Sequence, residues 1–287
     1  MEKLLHWSIA QQAGDKEALS KIGTPDPKAL NQLFGGPDEA SLMKESVMVV
    51  ENPEVSNEDK IIALENLEML IENLDNANNI ENLKLWLPLL NILGNDSYND
   101  EIRTLILSII GIAVQNNNKS QSDFNKYDQG IKLLIELGEK SQDLDLKLKA
   151  LFAISSFIRD YKPGYEKFEQ LNGWNLITLD IKDNSPKLNL RVLSLIASIL
   201  SNGLSPNTEA HLRKNNIGHK LAILLNDDAH PNLIDKTLNI ISNLYHLKYE
   251  FTPEEKYEID AGLETIEGLS DRLNLDDLET AKMSVSK

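Results

Sequence analysis

Ile61-Ile62-Ala63-Leu64-Glu65-Asn66-Leu67-Glu68-Met69-Leu70-Ile71 is a stretch that the chain repeats. Its apolar residues return at Leu64, Leu67 and Leu70 with Ile71, and this i, i+3, i+6/i+7 stripe is the buried face of an α-helix. Laid over the stretches that begin near Arg103, Leu148, Leu190 and Asp235, Leu64 falls in one column with Leu107, Leu151, Leu193 and Leu238, at spacings of 43, 44, 42 and 45 residues. Three residues on stand Leu67, Ile110, Ile154, Ile196 and Ile241. Six and seven on stand the pairs Leu70 and Ile71, Ala113 and Val114, Phe157 and Ile158, Ile199 and Leu200, Leu244 and Tyr245.

Between these helices a second apolar segment recurs, and it predicts helices over 83–93, 130–137, 173–181, 217–225 and 262–269. Gly130, Gly173 and Asn216 stand at the entrances to three of them, and Gly and Asn most easily adopt positive φ. Pro53, Pro163, Pro186, Pro206, Pro231 and Pro253 are expected between helical stretches, where a missing N–H costs little. Units of 42 to 45 residues with two or three helices each indicate an all-α armadillo/HEAT-like solenoid of about five repeats. Its core is expected to run from about Glu45 to Leu273. The division that follows is an arm over 1–40, a repeat domain over 41–273 and a C-terminal tail over 274–287.

The composition narrows what such a fold can do. Of 287 residues 41% are hydrophobic, enough to build a sizeable core. Lys and Arg number 29 against 45 Asp and Glu, a net charge of −16, which sets long-range repulsion against nucleic acid and anionic membranes. There is no cysteine, so disulfides, thiolate nucleophiles and cysteine-ligated metals are excluded. No apolar run approaches the roughly 20 residues that span a bilayer, and no secretory signal opens the chain. These readings place the protein in the cytoplasm. Phosphate-cradling glycine loops, HExxH and GxSxG are missing, and the histidines His6, His211, His219, His230 and His246 have no metal-ligand spacing. Neither an enzyme nor a metal or other cofactor is expected.

The informative surface is the row one, four and eight residues beyond the column leucine. It reads Glu65, Glu68, Glu72; Ser108, Gly111, Gln115; Phe152, Ser155, Arg159; Ser194, Ala197, Ser201; Asn239, Ser242, His246. This row is either a solvated face with small residues where helices crowd, or the lining of a binding groove. The N-terminal segment lies outside the repeat and is rich in breakers, with Gly23, Pro25, Pro27, Gly35, Gly36 and Pro37. A mobile arm is expected there, with two apolar patches: Leu4, Leu5, Trp7 and Ile9, then Leu30, Leu33 and Phe34.

Four strings are more specific than the pattern: Met1-Glu-Lys-Leu-Leu-His-Trp-Ser8, Asp26-Pro-Lys-Ala-Leu-Asn-Gln-Leu-Phe-Gly-Gly36, Leu42-Met-Lys-Glu-Ser46 and Glu68-Met-Leu-Ile-Glu-Asn-Leu-Asp-Asn-Ala-Asn-Asn-Ile-Glu-Asn-Leu-Lys-Leu-Trp86. Through them the chain resembles the fungal Fes-type members of the armadillo-repeat Hsp-binding-protein family. The resemblance implies a nucleotide exchange factor, a monomer that binds the ATPase domain of a cytosolic heat shock protein 70 (DnaK-class) chaperone, promotes ADP release and so aids client release. By position it implies partner contacts from Glu68, Glu72, Asn73, Ala77, Asn78, Asn79, Gln115, Asn116, Phe152, Arg159 and Arg191. The small Ala77 is expected to leave the backbone open to close approach. The resemblance also implies that the N-terminal patches, Leu4, Leu5, Trp7, Ile9, Leu30, Leu33 and Phe34, mimic an unfolded client. The alternative is a generic armadillo-repeat adaptor that joins proteins without exchange activity.

Overall fold

A computed structural model describes residues 38–179 and 185–286. The apolar patches between Leu4 and Phe34 fall outside the described residues. The chain divides into two compact units, residues 1–45 and 46–287. Of the first, only the beginning of helix α1 (Glu39–Glu51) is described.

Among the described residues all regular structure is helical, and it follows the repeat. The first repeat is α2 (Asn57–Ile71), α3 (Leu74–Asn82) and α4 (Trp86–Leu93); the second is α5 (Asp100–Val114), α6 (Asn118–Phe124) and α7 (Asp128–Lys140). The third has α8 (Leu144–Ile158), α9 (Lys162–Gln170) and a 3-10 turn over Gly173–Leu176. The fourth is α10 (Pro186–Leu200), α11 (Pro206–Lys214) and α12 (Ile217–Leu224). The fifth has α13 (Pro231–His246), α14 (Pro253–Thr265) and a 3-10 stretch over Glu267–Arg272, and α15 (Leu275–Val285) follows.

Each repeat therefore opens on one long helix. Its start is set by side chains that accept the otherwise unpaired first-turn N–H groups: Ser56 from Asp59, Asn99 from Ile102, Asp143 from Leu146. Pro186 and Pro231 begin α10 and α13, where a residue without an N–H loses nothing. The long helices pack in chain order, α2 on α5, α5 on α8, α8 on α10, α10 on α13 and α13 on α15. The column leucines Leu64, Leu107, Leu151, Leu193 and Leu238 are all within 1% of full burial. Each is worth roughly 1.5 to 3 kcal/mol by transfer from water. A chain of rings, Trp86 to Phe124 to Phe157, crosses three repeats with centroids 5.1 and 5.4 Å apart.

The region after Leu273 departs from a simple tail. Asn274 caps α15 by accepting from the Asp277 N–H, and α15 packs on α13. Leu278, 40 residues beyond Leu238, enters the column at 5% exposure, with Ala281 fully buried three residues later. The ladder thus continues into a sixth rung.

Two second-helix expectations change. Over 173–179, the described part of the expected 173–181 helix, only the 3-10 turn Gly173–Leu176 forms. The chain leaves helical geometry at Ile177, and Asn175, Ile177 and Thr178 are all weak helix formers. In the fifth repeat the helix starts at Pro253, nine residues before Gly262, because Thr252 and Glu255 form a reciprocal capping box. Gly130 and Gly173 are not among the positive-φ residues; Asn172 and Asn216 are, at φ 59° and 51°. Gly130 lies inside α7, where a Cβ would come within 2.8 Å of Leu90, so helix packing accounts for that glycine.

Candidate functional site

The row beside the column is only partly a surface. At its middle position Gly111, Ser155, Ala197 and Ser242 are buried, and at Gly111 the next long helix is close enough that a Cβ would come within 3.3 Å of the Ala153 Cα. Ser108, at the first position, is buried too. The last position, in contrast, stays open: Glu72, Gln115, Ser201 and His246 are exposed and Arg159 is half-buried.

On α5, α8 and α10 this edge opens into a cleft of about 260 Å³ whose lining includes Gln115, Asn116, Phe152, Arg159 and Arg191. Five of the eleven residues expected to contact a partner are therefore brought together. Phe152 occupies the centre. Its ring lies on Gly111, where a Cβ would collide with the ring atoms Cε1 and Cδ1, so the glycine makes the ring's seat. Two cations flank it: the Arg191 guanidinium lies 5.3 Å and the Lys149 ammonium 5.7 Å from its centroid. The Lys149 ammonium also donates to Ser108 Oγ at 2.7 Å.

The serines in the cleft turn inward. Ser155 donates to the Leu151 carbonyl at 2.6 Å, Ser194 to Leu190 at 2.8 Å and Ser198 to Ser194 at 3.1 Å. With those three hydroxyl protons engaged, the exposed or half-buried polar groups that face a partner are the amides of Gln115 and Asn116 and the guanidinium groups of Arg159 and Arg191.

The backbone beneath Arg159 is held from both sides. Gln121 of α6, fully buried, donates its amide to the carbonyls of Ser156, Phe157 and Arg159 at 2.9 to 3.1 Å. From the next repeat, Asn202 donates to the Ile158 carbonyl at 2.8 Å and the Asp160 N–H donates to Ser201 Oγ at 2.9 Å. The orphan carbonyls at the end of α8 are thus capped by two neighbours. Asn116 and Asp160 both turn the chain at φ 51°, a left-handed geometry that Asn and Asp tolerate better than most residues.

The remaining six expected contacts form a second group on α2 and α3. Glu72 and Asn73 are exposed, Glu68, Asn78 and Asn79 half-buried. Asn73 caps α3 by accepting from the Asp75 N–H at 2.9 Å. Ala77 does not offer an open backbone. It is 4% exposed, on the inner face of α3 beside the buried Asn76 and Ile80, so Asn78 and Asn79 are what this corner presents. The corner is tied to the next repeat through Glu81, which pairs with Lys126 at 3.0 Å and accepts from the Tyr127 hydroxyl at 3.0 Å; within the second repeat Asp123 pairs with Lys126 at 2.8 Å and with Lys119 at 2.9 Å. Burial alone would raise the Asp123 pKa, but hydrogen bonds from Lys126 and Lys119 outweigh it and hold the carboxyl below its ordinary range.

Gln121, Lys149 and Asn202 escaped the sequence reading. Gln121 and Asn202 carry no pattern that distinguishes them from surface amides. Lys149 does carry one: it stands two residues before Leu151, the place that Arg191 takes before Leu193.

Among the described residues no cluster of His, Asp and Glu is arranged to hold a metal ion, and no helix is long and apolar enough to cross a membrane. Residues 1–80 match the family described as nucleotide exchange factor Fes1, and residues 76–238 match the SIL1/FES1/HPBP1 C-terminal domain. The chain is 60% identical over 286 residues to the Hsp70 nucleotide exchange factor FES1 of Candida albicans, with all of both chains covered. It is 48% identical to the protein of that name from Saccharomyces cerevisiae, covering 98% of this chain and 99% of the relative. Among solved structures, an engineered protein matches with a TM-score of 0.68 over 85% of this chain and 98% of that one; at 12% identity the likeness is one of fold.

Proposed function

The chain belongs to the Fes1 nucleotide exchange factor family, and from that membership we propose that it binds the ATPase domain of a cytosolic heat shock protein 70 chaperone and promotes ADP release. The observation that carries this reading to particular atoms is the cleft on α5, α8 and α10. Gln115, Asn116, Phe152, Arg159 and Arg191 converge there on a backbone fixed by Gln121 and Asn202. A rigid polar face with an aromatic centre suits it to hold a lobe of a partner in one orientation. Exchange then follows from differential binding: the factor prefers the ATPase domain with its nucleotide site opened, and a ligand that prefers one state shifts the population toward it. The protein itself catalyses no covalent step and acts as a monomer in the cytosol. In this reading Glu68, Glu72, Asn73, Asn78 and Asn79 supply a second contact region, with Ala77 setting the packing beneath it. Leu4, Leu5, Trp7, Ile9, Leu30, Leu33 and Phe34 compete for the chaperone's peptide site.

The test is release of labelled ADP from the isolated ATPase domain. Faster release with the full chain present is expected. If the two proteins bind and release is unchanged, the chain is an adaptor and the exchange reading fails. Reciprocity gives a second check: a factor that weakens ADP affinity 100-fold must itself bind about 100-fold more weakly at saturating ADP.

A further inference from the structure

The cleft has an electrostatic character opposite to that of the chain. Lys149, Arg191 and Lys236 each stand two residues before a column leucine, so a cation recurs on the same step of α8, α10 and α13. On α2 and α5 that step holds Ile62 and Leu105. Arg159, at the end of α8, joins the row. Among the described residues none of these four cations forms an ion pair with a carboxylate, whereas Lys119, Lys126, Lys167 and Arg213 all do.

The four are also crowded. Lys149 and Arg191 share one aromatic ring, Phe152. Lys236 is half-buried, and burial together with repulsion from Arg159 holds its ammonium below the usual lysine range, with Asp277 opposing the shift. Like charges gathered without close ion pairs raise the free energy of the unbound protein. In a chain of net charge −16 the surrounding supply of carboxylates is large, yet the row draws none of them into an ion pair among the described residues. An incoming anion would relieve that repulsion.

The geometry points to this row as a carboxylate-recognition surface: Lys149 and Lys236 extend the interface beyond Arg159 and Arg191 and dock it against an acidic patch of the chaperone ATPase domain. The inference rests on the proposed function and gives the partner's facing surface a sign. At the α2 end of the ladder the sign reverses, with Glu65, Glu68 and Glu72, so the face is polarised along its length. A polarised face specifies orientation and association rate more than bare affinity.

The experiment measures the Kd of the full chain for the isolated ATPase domain between 0.1 and 1 M NaCl, where the Debye length falls from about 10 Å to about 3 Å. Binding of the wild type is expected to weaken as salt rises, although repulsion by the net charge of the chain acts in the other direction. Lys149→Glu and Lys236→Glu should each weaken binding about 10-fold at 0.1 M and much less at 1 M. Lys149→Met and Lys236→Met, which keep the buried stems, should lose about threefold. Melting curves identify any variant that fails to fold, and the wild-type salt slope needs no variant. Charge reversal without effect at 0.1 M, or a loss as large at 1 M as at 0.1 M, overturns the inference while leaving the exchange reading intact. Competition by inorganic phosphate at matched ionic strength would assign the row to a small anion and overturn it as well. Absence of wild-type binding overturns both readings.

Discussion

The long helices carry two rows side by side, and the rows obey different rules. The column from Leu64 to Leu278 is leucine at every rung, and each leucine is buried. The row one, four and eight residues further on changes at every rung: glutamates on α2, small residues and Gln115 on α5, Phe152 and Arg159 on α8, serines and Ala197 on α10. Stacking requires only that each rung bury an equivalent face, so the column repeats. Recognition needs each rung to present something different. The column should therefore respond to mutation in stability, and the open parts of the other row in binding.

The most damaging substitution on this view is Leu151→Ala, a cavity in the central rung. It should cost roughly 2 to 5 kcal/mol in urea unfolding, and a loss below about 1 kcal/mol would mean that the column is not the core. Gln121→Ala sharpens the division, since it lies outside both rows yet donates to two carbonyls of α8 and to that of Arg159 just beyond it. About 1 to 3 kcal/mol of stability should disappear, as expected when buried acceptors lose their donor, and chaperone binding should weaken with it because Arg159 is no longer held.

Phe152→Ala and Arg191→Ala should do the reverse. Each is expected to reduce chaperone affinity about 10-fold, or ~1.4 kcal/mol, while melting stays within a few degrees of the wild type. Were both to unfold the protein instead, the row would belong to the core and the contrast would collapse. The smallest effect belongs to Asp123→Asn, at about 0.5 kcal/mol near neutral pH. The folded-state pKa of Asp123 is lowered, so the carboxylate contributes stability above its unfolded value of about 3.9 and loses it as pH falls through the folded value. The gap between wild type and variant should be full at pH 6 and close in strong acid. A gap that persists unchanged in acid would show that charge is not its source.

The repeat was legible because the column needs only one residue type at a nearly constant spacing. The same logic fell short at the end, where Leu278 comes 40 residues after Leu238 and the rung continues with the small Ala281 and Ser284, which look unremarkable in a polar stretch. Cleft residues at the eighth position, Gln115 and Arg159, follow from register. Ala77 was misread because polar neighbours in sequence suggested a surface, whereas helical geometry turns Asn76, Ala77 and Ile80 inward together. Gln121 and Asn202 were illegible for another reason: their partners are main-chain carbonyls 35 to 44 residues away, and a carbonyl has no sequence identity to pair with.

The sixth rung has a consequence for the face of α13 that it covers. A stack in which each layer is completed by the next has no internal reason to stop; like a growing polymer, it presents the same sticky end after every addition. The helix Leu275–Val285 covers the open side of α13. Its inner residues Leu278, Ala281 and Ser284 are buried, and its exposed residues are the charged Asp276, Glu279 and Lys282 with the apolar Leu275 and Met283. Cut away those eleven residues, and the face of α13 that they cover is bared to water.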